Sequence, residues 1–187
     1  MVVVVQAGEA ATGRIVMMRL PDGIIGDALF LGDNREHRLW LERRLESVPR
    51  DAPYGLWIGM NPSVAGANED DMTVRKEWTF TRLSLNLSRY VKMNVGTYIC
   101  TDPSRLPLGL LTHPANDGAL RSALPNAAAI VMATGVVPYA LEPALLRVLA
   151  ILRNSGRPLL CLGRTADGSP RHSSRRGYNT PLVEFKP

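Results

Sequence analysis

From residue 54 onward, segments with the composition of buried strands alternate with segments of helical pattern, and this alternation restricts the fold more than any other feature. Strand composition occurs at 54–60, 90–100, 128–133 and 157–162. Helical patterns lie between them, at 72–87, 116–124 and 142–153. Because strands joined through helices make crossover connections, the alternation predicts an α/β fold with a mostly parallel central sheet covered on both faces.

The remaining sequence adds an N-terminal extension to one domain. The chain has 187 residues and is 45% hydrophobic, which is enough for a single globular core. We expect that domain to span residues 35–187. Residues 1–34 mix short apolar runs with five glycines and are expected to form strands and turns, including a β-hairpin. Segment 37–47 is compatible with a strand or a helix, because alternating leucines stand beside good helix formers.

Membrane insertion is not expected for this sequence. No apolar run approaches the roughly 20 residues that cross a bilayer, and residues 1–5 lack the charged start of a secretion signal. We therefore expect a soluble, cytoplasmic protein with no membrane partner. The net charge of +5 suits nucleic acid or a nucleotide as partner but does not require one.

Polar clusters follow each of the four strand-like segments. They are Gly59-Met60-Asn61-Pro62-Ser63, Thr101-Asp102-Pro103-Ser104, Thr134-Gly135, and the long segment 163–174. In parallel α/β sheets, ligands bind at the carboxyl ends of the strands. Loops that follow the four strands are therefore expected to lie at the same edge of the sheet. The four clusters together predict a binding site more strongly than four independent turns do.

The first of these clusters supplies the leading candidate residue. Asn61 carries two amide donors and one acceptor, Pro62 fixes its own backbone angle, and Gly59 allows a ligand or another backbone segment to approach closely. The alternative is that Asn-Pro-Ser only forms a turn.

A basic loop near the C-terminus supplies candidate phosphate ligands. Segment 163–176 contains a single acid, Asp167, and is rich in glycine and serine. Its cations are predicted to contact phosphate or nucleic acid, and the alternative is a solvated basic loop. They are Arg164, Arg171, Arg175 and Arg176.

Several well-known site patterns are missing from the sequence. It lacks the Gly-Lys-Ser/Thr of a P-loop, the dinucleotide Gly-x-Gly-x-x-Gly, the Gly-x-Ser-x-Gly elbow and the Cys/His spacing of zinc sites. We therefore expect no cofactor and no bound metal. Asp71 precedes a helix and is expected to cap it; alternatively Asp71 and Asp102 act as a base or hold a divalent ion.

The ordered motifs resemble a bacterial and phage family, the domain-of-unknown-function family 1643. The resemblance rests on Ile58-Gly59-Met60-Asn61-Pro62-Ser63, Asp71-Met72-Thr73-Val74-Arg75, Thr101-Asp102-Pro103, Asn116-Asp117 and the run from Leu162 to His172. It covers the chain from about residue 35. The sequence departs from the family pattern at Met72 and Ser173, where the family usually has proline, and the second departure concerns the shape of the His172 loop.

A more distant resemblance is to the uracil-DNA glycosylase superfamily. Gly59-Met60-Asn61-Pro62-Ser63 is similar to its early Gly-x-Asn-Pro type motif, and His172-Ser173-Ser174 is loosely similar to its late His-Pro-Ser type loop. This resemblance implies a three-layer α/β/α sandwich and hydrolysis of an N-glycosidic bond. Asn61 would then hold water, with Asp71 as a further catalytic candidate, and His172 would stabilise the leaving base.

On this reading the strand-end residues contact substrate, and a base in DNA has to be flipped out of the stack. The candidate substrate-binding residues are Gly59, Met60, Pro62, Ser63, Thr101, Asp102, Thr165 and Ser173. Two alternatives stay open. The chain either binds a nucleotide or nucleic acid without catalysis, or is an interaction module of a phage. The oligomeric state is not predicted.

Overall fold

The computed structural model describes residues 2–4, 16–102 and 105–187. In this part of the chain there are ten strands and three α-helices. The strands are β1 Val2–Val4, β2 Val16–Arg19, β3 Ile24–Leu31, β4 His37–Leu45, β5 Tyr54–Gly59, β6 Glu69–Asp70, β7 Arg89–Asn94, β8 Ala127–Met132, β9 Leu159–Cys161 and β10 Val183–Glu184. The helices are α1 Met72–Leu83, α2 Asn116–Ala123 and α3 Glu142–Asn154.

The main sheet is mixed, with a parallel centre. Its seven described strands run in the order β10-β9-β8-β5-β7-β4-β3. The four central strands, β9, β8, β5 and β7, are parallel to their neighbours within this group, whereas β10, β4 and β3 pair antiparallel. The predicted α/β class and the parallel strands are thus present, but the outer part of the sheet is antiparallel.

Two apolar clusters cover opposite faces of this sheet. Because side chains alternate along a strand, Leu56 and Ile58 of β5 face one cluster and Trp57 faces the other. The first cluster takes its helical side chains from α2 and α3, among them Leu120 and Leu152. The second takes them from α1. The helices therefore pack on both faces of β5 and leave its carboxyl end at the edge of the sheet.

The structure differs from the sequence-based expectations mainly in where elements end. Segment 37–47, which fitted either class, forms strand β4 and pairs with β3 and β7. The strand expected over 90–100 ends at Asn94, and the helix expected to reach residue 87 ends at Leu83. Asn116 is the first residue of α2, and its side chain donates to the backbone oxygen of Asn94 at 3.1 Å.

A second, smaller sheet contains the N-terminal strands. β1 pairs antiparallel with β2, and β2 pairs with β6. Asp70 of β6 is buried and accepts hydrogen bonds from Arg43 and Arg75, each at 2.8 Å, which ties this sheet to β4 and α1. The boundary expected at residue 34 stays a prediction. In the described part of the chain, no helix is long and apolar enough to cross a membrane.

Candidate functional site

A cavity of about 520 Å³ opens at the carboxyl ends of the central strands. This volume lies in the range of small-molecule sites, about 300–1,000 Å³. The loops after β5 and β7, the start of α1 and the loop after β9 all contribute to it. Its lining comprises Arg38, Gly59, Met60, Asn61, Ser63, Asp71, Met72, Thr73, Lys92, Cys100, Thr101, His172, Ser174 and Arg175.

The loop after β5 is held by the loop after β7. The side-chain amide of Asn61 donates to the backbone oxygen of Cys100 at 2.6 Å and to that of Pro62 at 3.1 Å. The backbone N–H of Cys100 in turn donates to the oxygen of Pro62 at 2.9 Å. Because both amide hydrogens of Asn61 point at backbone carbonyls, its side-chain oxygen is the atom that can accept from a ligand or water.

The loop after β9 presents His172 through a hairpin. Gly163 begins it with φ +88°, a left-handed conformation that favours glycine, and Arg171 N–H donates back to the Gly163 oxygen at 2.9 Å. The N–H of Gly135, in the loop after β8, donates to the oxygen of Pro170 at 2.9 Å. Two neighbouring strand-end loops are thereby joined just before His172.

The surroundings of His172 favour one neutral tautomer. Its Nδ1 lies 3.2 Å from the backbone N–H of Ser174, which donates to it, and 2.8 Å from the Ser174 hydroxyl. An Nδ1 that accepts carries no hydrogen, so Nε2 carries it and is a donor. Burial lowers the pKa of His172 below its ordinary value of 6.5, and the nearby Lys92 ammonium lowers it further. The ring is therefore neutral near pH 7.

A buried carboxylate, that of Glu77, anchors the His172 loop from the protein interior. Glu77 of α1 is fully buried and accepts from the Ser173 hydroxyl at 2.8 Å, from the Tyr90 hydroxyl at 2.7 Å and from the Lys92 ammonium at 2.6 Å. Burial alone raises the pKa of Glu77, but Lys92 and the hydrogen bonds outweigh it, so the pKa lies below its ordinary value. Glu77 is thus an anion that connects α1, β7 and the His172 loop.

Gly59 lies against two polar side chains of β7. A Cβ added at Gly59 would meet Asn94 Oδ1 at 2.6 Å and Lys92 Nζ at 3.2 Å, so no larger residue fits. Asn94 is buried, and neither polar atom of its side chain has a hydrogen-bond partner among the described residues. A buried amide without partners costs folding free energy and is typical of sites that bind a ligand or water.

Two further charged residues line the cavity. Asp71 caps α1, since its Oδ1 accepts from the N–H of Val74 at 2.8 Å. Arg38 of β4 is almost fully buried and donates from Nη1 to the oxygen of Ala65 at 2.7 Å, while its Nε has no partner in the described part of the chain. Burial lowers the pKa of the Arg38 guanidinium, and the Asp71 carboxylate opposes that shift.

A second cavity of about 410 Å³ adjoins the first and is basic. The two share Met60, His172, Ser174 and Arg175. The second cavity also contains Arg171, Arg176, Thr165, Thr134, Gly135 and Val136. Arg164 lies elsewhere: it packs over the Phe185 ring and donates to the backbone oxygen of Lys186 at 2.6 Å.

Most of the residues proposed from sequence thus lie in the two cavities, and a few lie behind them. Pro62 is buried and uses its oxygen within the loop contacts. Ser173 is fully buried and bonded to Glu77. The backbone oxygen of Asp102 accepts from the Cys100 thiol at 3.0 Å, and Asp102 does not line either cavity.

A sequence comparison identifies the family of the chain. The profile of a family described as protein of unknown function, DUF1643, matches residues 38–173. The chain belongs to this family. The matched region runs from Arg38 in β4 to Ser173 and so contains the cavity-lining loops after β5 and β7 and the loop after β9 as far as Ser173. Neither a curated protein nor a solved structure matches the chain.

Sequence reasoning missed four polar residues in and around this DUF1643 site. Lys92 and Asn94 were read only as part of a strand, although charged and amide side chains inside a buried strand are themselves a signal. Arg38 lies in segment 37–47, which is compatible with either class, so the direction of its side chain is not predictable from sequence. Glu77 was hidden within an amphipathic helix.

Proposed function

We propose that the chain hydrolyses an N-glycosidic bond, with a nucleobase in the larger cavity. The observation that carries the proposal is the pairing of an acceptor, Asn61 Oδ1, with a donor, His172 Nε2–H, in the lining of one cavity. Such a reaction needs a water placed against the sugar and a donor facing the base. Both requirements have a candidate here.

Asn61 is the water-positioning residue in this mechanism. Its amide nitrogen is held by two carbonyls, so its oxygen is oriented before substrate binds. The water adds to C1′ of the sugar while the bond from C1′ to the base nitrogen breaks, and its electron pair leaves with the base. The proton lost by the water passes to Asp71, which also lines the cavity.

His172 is the donor to the leaving base. A neutral imidazole with its hydrogen on Nε2 donates to a carbonyl oxygen of the base as negative charge develops there. Its orientation is fixed on the other side by Ser174 and, through Ser173, by Glu77. The base anion then takes a proton from solvent, which completes the proton balance of the hydrolysis.

The smaller cavity is the place for phosphate. Arg171, Arg175 and Arg176 surround it, and His172 and Met60 separate it from the larger one. Phosphate contacts position a nucleic acid, and a base in duplex DNA has to be flipped to reach a cavity of this kind. The two motifs similar to those of the uracil-DNA glycosylase superfamily support the same assignment.

The test is release of free base from a uracil-containing DNA oligonucleotide, followed by chromatography, with other modified bases as a panel. Asn61→Ala should lower release by between about 100-fold and 10,000-fold, the usual contribution of a positioned proton-transfer or water-holding group. Asn154→Ala, at the exposed end of α3, is the matched control and should leave release unchanged.

Circular dichroism and urea unfolding establish that the variants are folded. Equal release by wild type and Asn61→Ala would contradict the mechanism. If no base is released from any substrate but nucleotides raise the melting temperature, the chain is a binder without catalysis.

A further inference from the structure

Lys92 is a charged residue of the larger cavity to which the mechanism above gives no role. It lies on β7, is 4% exposed, and lines the cavity beside Gly59. Its Nζ is 3.2 Å from where a Cβ of Gly59 would be. Because Gly59 has no side chain, the ammonium is not covered by one at this position.

The negative partner of Lys92 lies away from the cavity. Glu77 is fully buried, does not line the cavity, and accepts from Lys92 at 2.6 Å. The Tyr90 and Ser173 hydroxyls donate to the same carboxylate. The pair therefore presents its positive end to the cavity and its negative end to the core.

A buried ammonium has hydrogen-bonding capacity beyond this one partner. It carries three N–H groups, and among the described residues Glu77 is the acceptor that pairs with it. A donor left without an acceptor in a buried site is costly, so an occupant of the cavity that offers an oxygen or a negative charge gains from meeting it. A leaving base develops both as its bond to the sugar breaks.

We propose that Lys92 is a further catalytic residue, which binds the edge of the leaving base that becomes negative, and that Glu77 is its positioning residue. The proposal rests on the proposed hydrolysis of an N-glycosidic bond. The negative charge of the leaving base is then stabilised by two hydrogen-bond donors, the neutral imidazole of His172 and the ammonium of Lys92. No bond is made to Lys92, and its proton stays on the ammonium.

The kinetic test compares two leaving groups of different acidity in the same oligonucleotide, uracil and the more acidic 5-fluorouracil. Lys92→Met should slow release of uracil by about 100-fold, the usual effect of one such donor. It should slow release of 5-fluorouracil much less, because that base needs less help to carry charge. A merely structural role would slow both bases by the same factor.

Three variants keep this test independent of folding. Lys92→Arg keeps the charge and should retain more of the rate than Lys92→Met. Lys92→Met combined with Glu77→Gln removes both charges, avoids an unpaired buried carboxylate, and should show the same selective loss. Lys186→Met, a lysine near the exposed C-terminus, is the control and should match wild type.

An equilibrium measurement separates this proposal from the function on which it rests. Calorimetry with free 5-nitrouracil, an anion at neutral pH, and with uracil, which is neutral, should give at least about 10-fold tighter binding of the anion, as expected for a charge-assisted contact. The double variant should lose this preference. An unchanged preference, or equal slowing of both leaving groups, overturns the role of Lys92 while base release stands. If wild type releases no base, the proposed hydrolysis fails. Binding of 5-nitrouracil then decides alone whether Lys92 recognises negative charge. If wild type neither releases base nor binds the anion, the proposed hydrolysis and the role of Lys92 are both overturned.

Discussion

At the scale of single residues, the site depends on side chains that orient other side chains. Asn61 is held by two carbonyl groups, and His172 by the Ser174 backbone. Ser173, next to His172, contacts no cavity but joins its loop to Glu77 on α1. A residue of this kind contributes to function through position, so its removal is expected to change both stability and activity.

Ser173→Ala should therefore lower the free energy of unfolding by about 1.5–3 kcal/mol, the usual range for a buried hydrogen bond to a charged group. The fully buried Glu77 carboxylate would lose one of its donors. Urea unfolding measures the change. Ser122→Ala on the exposed face of α2 is the control, and a surface change there should stay within about 0.5 kcal/mol. Equal values for the two variants would show that Ser173 does not anchor the loop.

The sequence located Asn61 and His172 but not their supports, and the reason is physical. Loop residues at strand ends are recognisable because glycine, proline and asparagine interrupt an apolar pattern. The supports are buried polar residues inside regular elements, such as Glu77 in α1 and Lys92 in β7. The direction in which these side chains point depends on the rotation of the helix and the register of the strand, which a local pattern does not specify.

At the scale of elements, each site loop is held by another loop or by a helix. The loops after β5 and β7 are joined through Asn61 and Cys100, and those after β8 and β9 through Gly135 and Pro170. The start of α1 closes the cavity, with Asp71 as its cap. Asp71 consequently has a structural role as the cap of α1, and the proposed mechanism adds a catalytic role as the proton acceptor.

Asp71→Asn separates these two roles. Asparagine caps helices about as well as aspartate, and both Asp71→Asn and Asp71→Ala remove the charge beside Arg38, so Asp71→Asn should be about 1 kcal/mol more stable than Asp71→Ala. Since Asn cannot accept a proton from water, we expect base release to fall by about 100-fold in Asp71→Asn. Thermal unfolding and the chromatographic assay measure both. Full activity in a stable Asp71→Asn would restrict Asp71 to capping.

The order of elements was predictable, whereas their partners at the sheet edges were not. The four central strands and three helices follow from alternating composition, because each buries an apolar face. β4 is ambiguous from sequence because its alternating leucines stand beside good helix formers, and its buried polar residues, His37, Arg38, Glu42 and Arg43, are satisfied largely by contacts distant in sequence. A local pattern does not contain those contacts.

At the scale of the whole molecule, two histidines with lowered pKa values, His37 and His172, make stability depend on pH. His37 lies in β4, with Nδ1 2.9 Å from the Thr97 hydroxyl. Burial lowers its pKa below the ordinary 6.5, and His113 nearby lowers it further. His172 has its pKa lowered mainly by burial as well. Both are therefore neutral in the folded protein at pH values where the unfolded chain is already protonated.

The free energy of unfolding should accordingly fall as the pH drops below about 6.5, by at most about 1.4 kcal/mol per pH unit for each histidine. The sign follows because the unfolded state binds more protons than the folded state in that window. The effect of Glu77 is separate: its lowered pKa contributes stability above 4.5, which is lost only as the pH falls further. Urea unfolding between pH 5 and pH 7.5 measures the slope. A variant with His37→Gln and His172→Gln should have a smaller slope in this range, and an identical slope would mean that other groups take up the protons.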